Sequence, residues 1–154
     1  MLVVEVAKGY GAVLVGFSLA GNTGAIAAGV AAVAGNVFNM WYRFDGGKGL
    51  GISLGVLTGV WPWGVPYAIG LIAVAALITP LAGIAALIAM AGLIVMSILW
   101  SVKDWTTGSV EPDAGIVILS VGITAGMAWK HWRDSPLNRS WRSGQKTPAL
   151  PVRR

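Results

Sequence analysis

The chain has 154 residues, of which 56% are hydrophobic and 11% charged, and its mean hydropathy is +0.73. A soluble domain carries about 25% charged residues and cannot hide this much apolar surface at this size, which excludes a disordered chain, a coiled coil and an ordinary soluble enzyme. Cysteine is absent, which removes disulfides, thiolate metal sites and cysteine nucleophiles.

The net charge of +5 is unevenly placed. No charge falls between Lys8 and Arg43, a gap of 34 residues, between Lys48 and Lys103, a gap of 54, or between Asp113 and Lys130, a gap of 16. A helix crossing the hydrocarbon core needs roughly 20 residues, and backbone polar groups in lipid must bond within the segment. The runs are continuous rather than alternating, so helices are expected and a barrel is not. In chain order, spans are predicted near Lys8–Ala20, Gly24–Met40, Leu50–Val60, Pro66–Thr79, Leu81–Trp100 and Ala114–Trp129. The breakers are Gly21-Asn22-Thr23, Trp61-Pro62-Trp63-Gly64 and Thr79-Pro80. Leu50–Val60 is short for a crossing, so it either extends through Trp63, tilts or is re-entrant. The expected fold is all-α: a polytopic membrane bundle of about six transmembrane or partly re-entrant helices over residues 1–133. Residues 134–154 are read as a basic tail, mobile or surface-bound. Trp41, Trp61, Trp63, Trp100 and Trp129 stand at span ends, as an aromatic belt requires.

From Lys130 onward seven Lys and Arg face one acid, Asp134, which by the positive-inside rule places the tail in the cytoplasm and the protein in the cell membrane. Six spans return the N-terminus to that side, together with the segments Glu5–Gly9 and Arg43–Gly51. Nucleic-acid binding does not suit so hydrophobic a chain. The segment Arg43-Phe44-Asp45-Gly46-Gly47-Lys48-Gly49 leads into an apolar helix. Glycines let backbone N–H groups approach a ligand, successive amides form an anion nest, and a helix N-terminus adds partial positive charge. Lys48 supplies a full charge. This is phosphate-binding chemistry without Walker spacing. A glycine hinge with its lysine at the headgroups is the alternative. Gly51, Gly55 and Gly59 are spaced for close helix packing. Gly83 and Gly92 read the same way, and Met90 and Met96 as core or lipid-facing residues.

Ala31–Gly51 reads A-A-V-A-G-N-V-F-N-M-W-Y-R-F-D-G-G-K-G-L-G. It resembles the second motif of the bacterial membrane glycerol-3-phosphate acyltransferases that use acyl phosphate (the PlsY family), roughly G-H-x-x-P-x-x-x-x-F-x-G-G-K-G-V-A-T. Gly35, Phe44, Gly46, Gly47, Lys48 and Gly49 keep the spacing. Glu5-Val6-Ala7-Lys8-Gly9 is similar to the family's D-x-x-K-G, and His131 to the histidine that opens its third motif. Arg139 and Gly144 follow that motif once a short insertion is allowed. Asn36 replaces the usual His, Asn39 the usual Pro, and Asp45 a frequent Lys. The family's first motif, G-S-G-N-x-G-A-T-N-x-x-R, does not precede Glu5; Gly21-Asn22-Thr23-Gly24-Ala25 imitates part of it and is read as a small-residue turn.

The resemblance implies acyl transfer from acyl phosphate to the 1-hydroxyl of glycerol 3-phosphate, giving lysophosphatidic acid for phospholipid synthesis, with no metal or other cofactor. It assigns Gly46, Gly47, Lys48 and Gly49 to the acyl phosphate, Lys8 to anionic substrate, Arg139 to phosphate, and His131 to the acceptor as the catalytic residue. Glu5 is alternatively an ion-pair partner of Lys8, and His131 a headgroup contact. Two other functions are weighed: a truncated or diverged non-catalytic membrane relative, and a small transporter subunit. A transporter predicts an ionisable residue within a span, and the spans that lie wholly inside the charge-free gaps hold none.

Overall fold

The computed structural model describes residues 2–38, 49–105 and 114–134. It forms α1 (Leu2–Val37), α2 (Leu50–Val60), α3 (Gly64–Ile78), α4 (Ala82–Val102) and α5 (Ala114–Asp134). No strand occurs among the described residues. Helices α1, α4 and α5 are long and apolar enough to cross a membrane. The perimeter is apolar too: Leu19 is 80% exposed and Leu77 83%, a surface that suits lipid and not water. This is a helical membrane protein.

Helix α1 is a hairpin. Its regularity fails at Ala20 (φ −147°, ψ 28°) and Gly21 (φ 57°, ψ −143°). A side chain rarely adopts the Gly21 geometry, so glycine is required for conformation and not for space, since a Cβ there would meet nothing within 4 Å. The reversal brings Gly16 onto Gly24, eight positions along the chain. A Cβ on either would collide with the other's carbonyl oxygen. The turn predicted at Gly21-Asn22-Thr23 is present, and its small residues let the two arms touch backbone to backbone.

The first arm of α1 runs parallel to α2. A Cβ on Gly9 would strike the Ile52 carbonyl oxygen, and one on Gly55 the Val6 carbonyl oxygen. Gly51 abuts Glu5, and Gly59 abuts Val13 and Tyr10, so the spacing of four does place one packing face along α2. From Trp61 the chain turns back. Helix α3 packs antiparallel to α4, with Leu71 against Gly92 and Tyr67 against Trp100, and α4 packs antiparallel to α5, with Gly83 beside the His131 carbonyl. Gly83 is in ordinary contact, whereas Gly92 is in close contact. The two arms of α1 and α2–α5 thus make six segments of alternating direction. Glu5, Gly49, Gly83 and His131 share one end of the bundle; Gly21, Trp61 and Trp100 share the other.

Two tryptophans depart from the expected belt. Trp63 and Trp129 are well exposed, but Trp61 is fully buried and Trp100 nearly so. Trp61 and Trp105 each meet Trp100 edge to face, at ring-centroid distances of 5.5 and 5.0 Å, and Tyr67 meets it at 5.9 Å. The reason is the corner itself. Helix α4 ends where the α2–α3 turn begins, so the indoles fill the wedge and gain aromatic packing there.

Candidate active site

Gly49 opens α2 with φ +80°, a left-handed conformation. A Cβ there would lie 3.0 Å from Val37 Cγ2 and 3.1 Å from Met127 Cγ. The position therefore demands glycine twice over, by dihedral and by space. Beyond it the first-turn amides of α2 have no acceptor within the helix. The Glu5 side chain lies over Gly51, placing a carboxylate beside this positive end rather than pairing it with Lys8. Gly49→Ala is expected to lower stability by about 1–2 kcal/mol, measured as a lower thermal midpoint in detergent. Gly70→Ala, in open space on α3, is the control expected to leave that midpoint in place.

Helix α5 supplies the opposing face. Met127 touches the Gly49 position, and one turn later come Lys130 and His131, only 4% and 5% exposed. A lysine and a histidine so enclosed must have their charge or polarity met locally. Lys8 is exposed on the bundle perimeter at the same end. The structure therefore sets Gly49 against Met127, with His131 one turn further along α5, and leaves Lys8 exposed at the same end of the bundle. Gly46, Gly47, Lys48 and Arg139 lie outside the described residues.

Between α2, α3, α4 and α5 lies an apolar cavity of about 220 Å³. Helices α2 and α3 diverge from the Trp61–Gly64 corner, and the gap between them is the cavity. Leu50, Leu57, Ile72, Ala89, Leu93 and Met127 are among its walls. Leu50, Ile69 and Ile72 are also exposed, so the cavity opens sideways between α2 and α3, toward the lipid-facing perimeter. Met90, expected in the core or facing lipid, is buried in its wall. The cavity joins the site through the chain itself. Leu50 directly follows Gly49, and His131 is one turn beyond Met127.

The family model for glycerol-3-phosphate acyltransferase matches residues 1–137. This chain belongs to the glycerol-3-phosphate acyltransferase family. Among proteins of that name, the one from Aromatoleum aromaticum is 31% identical over 150 residues, covering 95% of this chain and 68% of its own length. That from Agrobacterium fabrum is 40% identical over 131 residues, covering 84% of this chain and 58% of its own length. That from a Thermoanaerobacter strain is 46% identical over 72 residues, covering 47% and 34%. The chain thus spans only part of the length of these acyltransferases. No solved structure matches it. Membership agrees with the resemblance drawn from the glycine–lysine segment.

Three features of the site escape the sequence. Lys130 reads as the first cation of a tail but is buried inside α5. Gly51-Ile52-Ser53 stands where the family motif has Ala-Thr, and that departure gives no sign that Ser53, one turn after Gly49, lines the cavity. The cavity itself arises from the splay of α2 against α3, which no local pattern encodes.

Proposed function

We propose that this acyltransferase-family chain moves a fatty acyl group from acyl phosphate to the 1-hydroxyl of glycerol 3-phosphate, releasing 1-acylglycerol 3-phosphate and inorganic phosphate. The observation that carries the reading is the apolar, side-opening cavity whose wall includes Leu50, directly after Gly49, and Met127, one turn before His131. The acyl chain lies in the cavity. The phosphate sits at Gly46, Gly47, Lys48 and Gly49, where amides and an ammonium meet its charge. Lys8 and Arg139 attract and hold the phosphate of the acceptor. His131 orients the acceptor hydroxyl and takes its proton. The hydroxyl oxygen adds to the acyl carbonyl carbon, the carbon–oxygen bond to phosphate breaks, and phosphate leaves with that electron pair. No acyl-enzyme forms. Holding two charged substrates in register supplies several kcal/mol of barrier lowering. The basic tail puts this end of the bundle, and the C-terminus, at the cytoplasmic face of the cell membrane.

The test supplies membranes containing the chain with glycerol 3-phosphate and either palmitoyl phosphate or palmitoyl-coenzyme A. Lysophosphatidate from palmitoyl phosphate alone is expected. Lys48→Ala is expected to reduce it roughly 100-fold, the size of effect seen when one charge-stabilising donor is lost. Equal yields would remove Lys48 from the site. No product from the unaltered chain with either donor would overturn the reading.

A further inference from the structure

The hydroxyls along these helices share a habit. Ser18, Thr58, Ser97 and Thr124 each donate to a carbonyl three or four residues back, at 2.7–2.8 Å. This is how a polar side chain is satisfied in an apolar helix. Ser53 and Ser120 do not follow it: Ser120 Oγ is buried away from the cavity without an acceptor among the described residues, whereas Ser53 reaches across the bundle. Its Oγ is 3.1 Å from Met127 Sδ, across to α5. A thioether is among the weakest acceptors in a protein. Ser53 is 6% exposed, and it lines the cavity at the level of Gly49 and Met127. Thr124, which also lines the cavity, has its proton committed to the Ser120 carbonyl. The cavity wall therefore holds one strong donor that rests on a poor acceptor. It sits where an apolar chain must give way to a charged head.

We infer that Ser53 Oγ donates to the carbonyl oxygen of the bound acyl donor. The inference rests on the proposed acyl transfer and deepens it. With the chain in the cavity and the phosphate at Gly49, the reacting carbonyl falls between them, at the first turn of α2. There the hydroxyl exchanges a sulfur for an oxygen that gains negative charge as the acceptor adds. Such a donor is stronger in the transition state than in the ground state, so it raises kcat rather than binding.

The probe is palmitoyl phosphonate, in which a carbon–phosphorus bond prevents transfer, carrying carbon-13 in its carbonyl. Infrared difference spectra of the full chain in vesicles are expected to show the bound carbonyl stretch lowered. Met127→Leu, which keeps volume but removes the resting acceptor, is expected to keep the lowering; Ser53→Ala is expected to abolish it. In turnover, Ser53→Ala is expected to lower kcat roughly 100-fold with the KM for glycerol 3-phosphate unchanged. An identical carbonyl stretch in Ser53→Ala and the unaltered chain overturns this inference while leaving the cavity as the donor site. Loss of the lowering in Met127→Leu as well shows that the pair serves helix packing, which also overturns it. Failure of the unaltered chain to bind the probe overturns both the inference and the acyl-donor reading beneath it.

Discussion

Ala68→Phe will lower transfer from palmitoyl phosphate roughly 100-fold while leaving a short-chain donor such as butyryl phosphate little changed. Ala68 is a buried wall residue of the cavity on α3, one turn from the Trp61–Gly64 corner and so at the end of the cavity away from Gly49. A phenyl ring there occupies space that the proposed function gives to the acyl chain. Each methylene kept from an apolar site forfeits about 0.8 kcal/mol, so excluding four forfeits about 3 kcal/mol, a factor of roughly 100. A four-carbon donor does not reach that depth and loses little. The measurement is kcat/KM against donor chain length. A uniform loss at every length would mean that the substitution disturbs the fold or the phosphate end, and no loss at palmitoyl would remove the chain from the cavity. The ring fills a void between helices that already diverge, so the bundle is expected to tolerate it.

Gly55→Leu, by contrast, will stop the bundle from assembling. At Gly55 the α2 backbone lies directly on the first arm of α1, and even a Cβ would collide with the Val6 carbonyl oxygen and crowd the Tyr10 amide at 2.9 Å. Backbone atoms cannot move aside as a side-chain tip can, so the helices must part. Overpacking of a tight interior costs about 1–3 kcal/mol, and parting two helices along a shared face costs more. Gly59→Leu should be milder, because the nearest atoms there are Val13 side-chain carbons. Gly11→Leu, on the first arm of α1 but in open space, should be neutral. The three are compared by monodisperse yield after detergent extraction and by thermal midpoint. Equal behaviour of Gly55→Leu and Gly11→Leu would contradict the backbone contact between α1 and α2.

Much of this architecture is legible before any coordinates. Charge-free gaps and glycine or proline breakers give six segments of alternating direction. The predicted span ends lie close to those of α3, α4 and α5, although α5 continues past Trp129 to Asp134. The first span begins earlier than predicted, at Leu2, because Glu5 and Lys8 are carried on the helix near its end rather than ending it. Trp61 misleads because a tryptophan beside a proline at a span end has the local signature of an interfacial anchor. Its burial comes from Trp100, which is 39 positions away in the chain and adjacent only in the fold. The candidate site divides the same way. The motifs single out Gly49 and His131, and the fold sets Gly49 against Met127, with His131 one turn further along α5. Lys8, taken from a shorter pattern, is exposed at that end. Ser53, a departure from the motif's Ala-Thr, draws no role from pattern because a lone serine in an apolar helix ordinarily bonds to its own backbone, and only the cross-helix contact shows that this one does not.

The side opening between Leu50, Ile69 and Ile72 also bears on how a donor would arrive. A molecule with one long tail partitions into the bilayer and finds the slot by two-dimensional diffusion, never crossing bulk water. The relevant donor concentration is then its mole fraction among the surrounding lipids. On the proposed function, supply to the chain would scale with membrane composition and fall when excess detergent or lipid thins the donor within the leaflet, while the acceptor would still be drawn from aqueous solution.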